Sequence, residues 1–328
     1  MIRRTFVLVL AVAFVAGCAG SEPPVSTTGS SSDHTQAPTT TAIEQETNSP
    51  DGVFYTGIDG VVSDVSDPSR VISLAGDITE IIFELGAGDS IVATDITTVY
   101  PEAAVLLPKV GIGRFLSPEA VLKHNPTIVI GDSVTAPLSA IDQLRAAGVP
   151  VVILDLSTSF DTLYSKVRDL GFILGADEAA AGLEADLHSA ISAASVDRES
   201  TGLTAAYVYT RGPDVMLLLG DGMVSHPVIE AGGAVDAGAL IGVEGSIPVT
   251  PEALIAAAPD VLIVPTEGLE ALGGIDGLLA MPGVAETPAG LSGWILSYPE
   301  GDFLTIGPRI VAVIEALATD LSGFAGSS

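Results

Sequence analysis

The chain has 328 residues, 48% of them hydrophobic, enough to bury a core in one large domain or two moderate ones. A formal net charge of −29, with only 12 Lys plus Arg, argues against nucleic acid and anionic lipid as partners and fits a solvated acidic surface in a salty exterior. The single cysteine, Cys18, excludes a disulfide framework, which a domain of this size does not need.

The first stretch, MIRRTFVLVLAVAFVAGC, sets Arg3 and Arg4 ahead of an apolar run from Thr5 to Ala16 that is too short for a membrane span. It reads as an export signal over residues 1–17. Its ending, Val15-Ala16-Gly17-Cys18, resembles the bacterial lipoprotein signal. That implies an extracytoplasmic chain whose first mature residue, Cys18, is lipidated and holds it to the outer face of the cell membrane. Residues 18–67 are rich in Ser, Thr, Pro and Gly and contain no Lys or Arg, which predicts a disordered tether. His34 falls in that tether with no role.

After Arg70 short apolar strands alternate with helices: VISLA, DITEIIFELG, IVATD, a short helix from Pro101, SPEAVLKHN, TIVIGD, PLSAIDQLRAAG and VPVVILD. This is an α/β lobe over residues 68–158. From 159 to 197 a helical period continues without strand punctuation, predicting one long connecting helix with Gly171 as the place for a bend. Strand and helix alternation then resumes through TAAYVYT, VMLLLG, HPVIEAGG, TPEALIAAA, DVLIVPT and GWILSY to a final helix from Pro308, a second lobe over 198–328.

One sentence is written twice. SPEAVLKHNPTIVI from Ser117 and TPEALIAAAPDVLI from Thr250 stand 133 positions apart, each between a helix start and a strand. The fold class is therefore α/β, with two similar lobes bridged by one long helix and a ligand cleft between them. Glu119 and Glu252 are third in each [S/T]-P-E. Ser117 and Thr250 suit N-caps, and an acid in the first turn suits the helix dipole. Their symmetry also suits docking on a two-fold partner.

No G-x-S-x-G, G-x-x-x-x-G-K, H-E-x-x-H or C-x-x-C is present, which moves the weight from an enzyme toward a binding protein. His124 and His188 read as packing residues. Tyr100 and His226 each follow a strand and loop and precede a proline that opens a helix. Their separation of 126 is close to the repeat offset, so they are expected to face one cleft from opposite lobes. A phenolate is a hard donor for ferric iron and imidazole is the commonest haem ligand, so such a pair suits a sandwiched porphyrin. Arg114, before SPE, and Arg211, after AYVYT, suit either ion pairs or the carboxylates of a ligand.

VISLAGDITEIIFELGAGDSIVATDITTVYPEA, GGIDGLLAMPGVAETPAG and the late IGPR resemble the helical-backbone class of substrate-binding proteins of ABC importers, which serve haem, siderophores and cobalamin. The likeness runs from about Arg70 to the C-terminus and is closest to the haem-binding lipoproteins of the HmuT type. It implies that haem is the transported ligand and that Tyr100 is its axial phenolate, with His226 in a loop that supplies a second ligand in some members. It also implies that Glu119 and Glu252 dock on arginines of a dimeric haem permease, driven by its ATPase. The loop before His226 departs from the family's Gly-Thr-Ala-rich form, and LSGW after TPAG replaces a basic run. A ferric-siderophore or cobalamin binder of the same fold is the alternative.

Overall fold

The computed structural model describes residues 46–49, 52–197, 199–303 and 305–326. The export signal, Cys18 and the predicted tether as far as residue 45 lie outside them. Strands β1 (Glu46–Ser49), β2 (Gly52–Thr56) and β3 (Val62–Asp64) form an antiparallel sheet. The parallel sheet of the first lobe has the order β5-β4-β6-β7, with β4 at Val71–Ser73, β5 at Ile91–Thr94, β6 at Ile128–Asp132 and β7 at Val151–Leu154. Around it lie α1 (Gly76–Glu84), α2 (Glu102–Val105), α3 (Pro118–Leu122) and α4 (Leu138–Ala146). Every residue of β4, β6 and β7 is buried, which is why they read as unbroken apolar runs. On α1, Ile78, Ile81 and Ile82 are fully buried, each contributing roughly 1.5–3 kcal/mol by leaving water.

The small antiparallel sheet corrects the expected tether, because the chain from Gly52 to Asp67 is part of the first lobe. Tyr55 and Val65 are each 2% exposed, and the Tyr55 ring lies 6.4 Å from that of Phe172. Ile58 N–H donates to the Ile153 carbonyl at 2.9 Å, Ser63 Oγ to that of Val151 at 3.2 Å, and Arg145 pairs with Asp59 at 2.6 Å. These contacts cover the open edge of β7. A few inward side chains in a Ser-, Asp- and Gly-rich stretch leave too little pattern to read from sequence.

The predicted connecting helix is two helices, α5 (Phe160–Leu174) and α6 (Asp177–Ala194). A capping box of Ser159 and Thr162 opens α5, and Gly175, in the left-handed conformation at φ 65°, closes it. The chain then doubles back, so that Arg168 meets Glu184 and Tyr164 stacks on His188 with ring centroids 3.6 Å apart. Gly171, expected as a bend, is instead the point of closest approach: a Cβ there would stand 2.3 Å from Ala180 Cβ. The bridge between lobes is α6, which packs on α5 on one side and on α13 (Ile310–Ala325) of the second lobe on the other. Leu163 and Val167 of α5, Leu187 and Ile191 of α6 and Ile314 and Leu317 of α13 belong to one continuous apolar core.

The second lobe has β8 (Thr204–Thr210), β9 (Met216–Leu219), β10 (Val235–Asp236), β11 (Ser246–Pro248), β12 (Val261–Pro265) and β13 (Ile295–Tyr298) in the order β11-β9-β8-β12-β13, with β10 also on β8. β8, β12 and β13 are parallel, whereas β9 runs antiparallel to β8. Its helices are α7 (Ser225–Ala231), α8 (Ala237–Leu240), α9 (Pro251–Ala257), α10 (Thr266–Ala271), α11 (Ile275–Leu279) and α12 (Pro288–Ser292), ahead of α13.

Inside a helix alanine is normally more stable than glycine by about 0.5–1 kcal/mol. Gly182 on α6, where a Cβ meets open space, should obey that rule, so Gly182→Ala raises the unfolding midpoint. Gly171→Ala should lower it, by about 1–3 kcal/mol, because the methyl must push α5 and α6 apart. Thermal unfolding of the two variants checks this, and shifts of the same sign would refute the close crossing.

Candidate functional site

Tyr100 sits at the end of a loop pinned on both sides. Asp95 follows β5 and is 1% exposed; its carboxylate accepts from Thr97 N at 3.0 Å and Thr97 Oγ1 at 2.6 Å. Burial pushes the Asp95 carboxyl up to about 6 against those hydrogen bonds. Thr97 Oγ1 accepts from Gly76 N at 3.1 Å, at the start of α1. Gly76 must be glycine, since a Cβ would stand 2.8 Å from the Thr97 carbonyl oxygen. Thr98 Oγ1 lies 3.1 Å from Thr79 Oγ1, and Lys109 Nζ reaches Thr94 Oγ1 at 2.7 Å. With its base held, the loop presents Val99 and Tyr100 outward, 63% and 40% exposed. Pro101 caps α2, as expected.

Arg114 lies on the same edge. Ile96 N–H donates to Gly111 O at 2.8 Å and Ala136 N–H to Gly113 O at 2.9 Å, which sets the 111–116 loop beside the Tyr100 loop at the carboxyl ends of β4, β5 and β6. Arg114 and Phe115 project from it, both exposed.

The second lobe comes to this edge through a residue that the sequence reading did not single out. Arg309, at the start of α13, stands over the Tyr100 ring with its guanidinium carbon 5.0 Å from the centroid. Its Nε donates to Glu80 Oε1 of α1 at 2.9 Å, and Nη1 lies 3.8 Å from Asp302. Burial pushes the Glu80 carboxyl up to about 7, opposed by Arg309, and Glu80 Oε2 is buried with no hydrogen-bond partner among the described residues. Beyond Asp302, Glu300 accepts from Tyr209 Oη at 3.3 Å and pairs with Arg211. Tyr209, near the end of β8, and Arg211, just after it, are two apart and meet on Glu300, a spacing that was available in AYVYTR. IGPR was noticed only as a likeness, and Glu80 was hidden on the buried side of an ordinary helix.

His226 is not part of this arrangement, which corrects its expected place opposite Tyr100. Its Nδ1 lies 3.1 Å from Asp236 Oδ2, and its Nε2 lies 3.8 Å from Asp221 and 3.9 Å from Glu230. Asp236 is 1% exposed, caps α8 and pairs with Ala205 near the start of β8. Arg211 follows the other end of β8, and the five steps from Ala205 to Thr210 span about 16 Å at ~3.3 Å each. The equivalence drawn from sequence assumed that both loops follow strands of the same direction. β9 is antiparallel to β8, so the loop after it leaves the sheet at the opposite edge from the loop after β5.

Glu119 and Glu252 each stand in the first turn of a helix and are exposed, as expected. Ser117 Oγ accepts from Ala120 N at 3.3 Å and Thr250 Oγ1 from Ala253 N at 3.2 Å. Hydrogen bonds from its own backbone and from Ser117 hold the Glu119 carboxyl below the usual range. Leu116 N–H bonds Ala136 O at 2.8 Å and Val249 N–H bonds Met216 O at 3.0 Å, so both glutamates lie toward the sheet edges that carry Arg114 and Arg211.

The solved structure of RhuT from Roseiflexus sp. RS-1, described as a periplasmic heme-binding protein in apo form, is 38% identical over 78% of this chain and 99% of that one, with a TM-score of 0.74. BhuT, described as a periplasmic heme-binding protein in complex with two hemes, is 32% identical over 78% of this chain and 98% of that one, with a TM-score of 0.71. YvrC of Bacillus subtilis (strain 168), an uncharacterised ABC transporter substrate-binding lipoprotein, is 27% identical over 62% of this chain, which spans 66% of its length. A family model described as periplasmic binding protein matches residues 71–300, and the chain belongs to that family.

Proposed function

We propose that this protein captures haem outside the cytoplasm and hands it to an ABC permease, without catalysis of its own. The observation that carries the reading is Tyr100: a phenol on a loop braced from below, at the edge where the lobes meet, with Arg309 over its ring. The 38% identity to a heme-binding protein over nearly its whole length supports the choice of ligand.

Phenolate binds Fe(III) as a hard anionic donor. Exposed Ile96, Val99 and Phe115 on the adjoining loops offer apolar surface to a porphyrin, and Arg114 and Arg211 offer guanidinium to its propionates. Glu119 and Glu252, one on each lobe, dock on the two-fold permease. Cys18 anchors the chain through its lipid, since the two acyl chains of a diacylglycerol hold stably where one does not.

Tyr100→Phe keeps the ring and removes the donor oxygen, so the phenolate-to-iron charge-transfer band should vanish and affinity should fall, with thermal stability unchanged. His226→Ala should bind hemin as the parent does. Absorption and electron paramagnetic resonance during hemin titration check both. A Tyr100→Phe protein with the parent's spectrum would move the ligand class toward cobalamin or a ferric siderophore.

Charge reversal of Glu119 and Glu252 together should leave hemin affinity and thermal stability intact while abolishing uptake by cells. Lost hemin binding in that variant would show that the pair belongs to the ligand site. Cys18→Ser should shift the protein from the membrane to the soluble fraction, and an unchanged distribution would place the anchor elsewhere.

A further inference from the structure

We infer that Glu80 is a positioning residue for Tyr100: from the buried side of α1 it holds Arg309 of the second lobe over the Tyr100 ring, and so fixes the direction in which the phenol oxygen is presented. The inference rests on the haem reading for its ligand and adds a residue that acts there through another side chain.

The side-chain hydrogen bonds that brace the Tyr100 loop end at Thr94, Thr97 and Thr98. They fix the backbone and leave the ring, on a residue 40% exposed, to be set by what stands over it. That neighbour is the Arg309 guanidinium, 5.0 Å from the ring centroid. Arg309 is itself 36% exposed in its side chain, and a long exposed side chain keeps one geometry only where its head group is anchored. Glu80 is the anchor: its side chain is 6% exposed, and its Oε1 accepts from Arg309 Nε at 2.9 Å. The anchor is held in turn. The buried pair of Asp77 and Lys166 ties α1 to α5, and the turn that opens α13 lies so close that a Cβ on Gly307 would stand 3.0 Å from Glu80 Oε2.

The competitor for Arg309 is Asp302, 3.8 Å from Nη1. A small cavity lined by Glu80, Asp302, Thr305 and Arg309 adjoins them and leaves the guanidinium room to move. A charged acceptor holds a guanidinium roughly twice as strongly as a neutral one. A neutral residue at position 80 therefore releases Arg309 toward Asp302 and water, and the Tyr100 ring loses its cation. The freed ring samples rotamers whose oxygen points away from an incoming iron, so affinity falls with the fraction left in the productive one.

The sign of the effect separates this role from simple electrostatics. Removing a carboxylate from a strongly acidic chain should, by charge alone, tighten binding of a ligand that carries propionates. Glu80→Gln should instead bind hemin roughly two- to fivefold more weakly than the parent in equilibrium titrations. In a Tyr100→Phe background, where no donor oxygen remains to be aimed, the same substitution should change nothing. Arg309→Lys, which keeps the charge and loses the planar fork, is the second variant and should weaken hemin binding as Glu80→Gln does. In hemin-free protein with carbon-13-labelled tyrosine, both variants should move the Tyr100 ring resonance, identified by its loss in Tyr100→Phe, and leave the other tyrosines in place. Parent-like or tighter hemin binding by Glu80→Gln would overturn the inference and leave the haem reading standing. So would a loss that persists in the Tyr100→Phe background, or a Tyr100 resonance that neither variant moves. A parent that binds no hemin would remove the haem reading, and the resonance of the hemin-free protein would still decide whether Glu80 positions Tyr100.

Discussion

Parallel strands deliver the loops that follow them to one edge of a sheet, and in both lobes that edge is the one at which the lobes meet. α1 after β4, the Tyr100 loop after β5 and the turn carrying Asp302 after β13 all lie there. The hydrogen bond from Arg309 to Glu80 and the packing of Arg309 over Tyr100 follow from this shared direction. The same constraint removes His226. It follows the one strand of its lobe's central hairpin that runs backward, and so its ring is committed to Asp236 at the far end of β8.

Charge at the meeting edge is organised by scarcity. Asp77, Glu80, Asp95 and Asp132 are all at most 5% exposed near the carboxyl ends of β4, β5 and β6. Asp77 is matched by Lys166 of α5 at 2.5 Å, an ion pair with side chains 1% and 0% exposed. Losing one partner of such a pair leaves a buried charge uncompensated, typically at a cost of about 3–5 kcal/mol. Among the described residues Glu80 has only Arg309 from the other lobe, and Arg309 is divided between Glu80, Asp302 and the Tyr100 ring. Arg211 is likewise engaged by Glu300.

The bridge explains how two lobes keep this register. α6 is not a bare connector but the middle layer of three helices, with α5 and α13 on either side. Its buried Leu187 and Ile191 belong to a core that continues into both lobes. Bending α6 would expose that core on one side. Such a bridge favours small adjustments at the cleft over wide closure.

Alternation of apolar strands with helices was legible in the sequence because strands buried on both faces must be apolar throughout. The repeated [S/T]-P-E was legible because capping is a local hydrogen bond between neighbours. The strand-loop-proline unit that carries Tyr100 was legible for the same reason, because it closes on itself. Other features were decided only by tertiary structure. The doubling back of α6 on α5 brings Gly171 against Ala180, a contact between helices. The folding of Tyr55 and Val65 into the core depends on a lobe whose residues come later in the chain. Arg309 and Glu80 are 229 residues apart, and no periodicity links them. The misplacement of His226 has the same origin: residue spacing reports that a loop follows a strand, but the strand's direction is set by the partner with which it pairs.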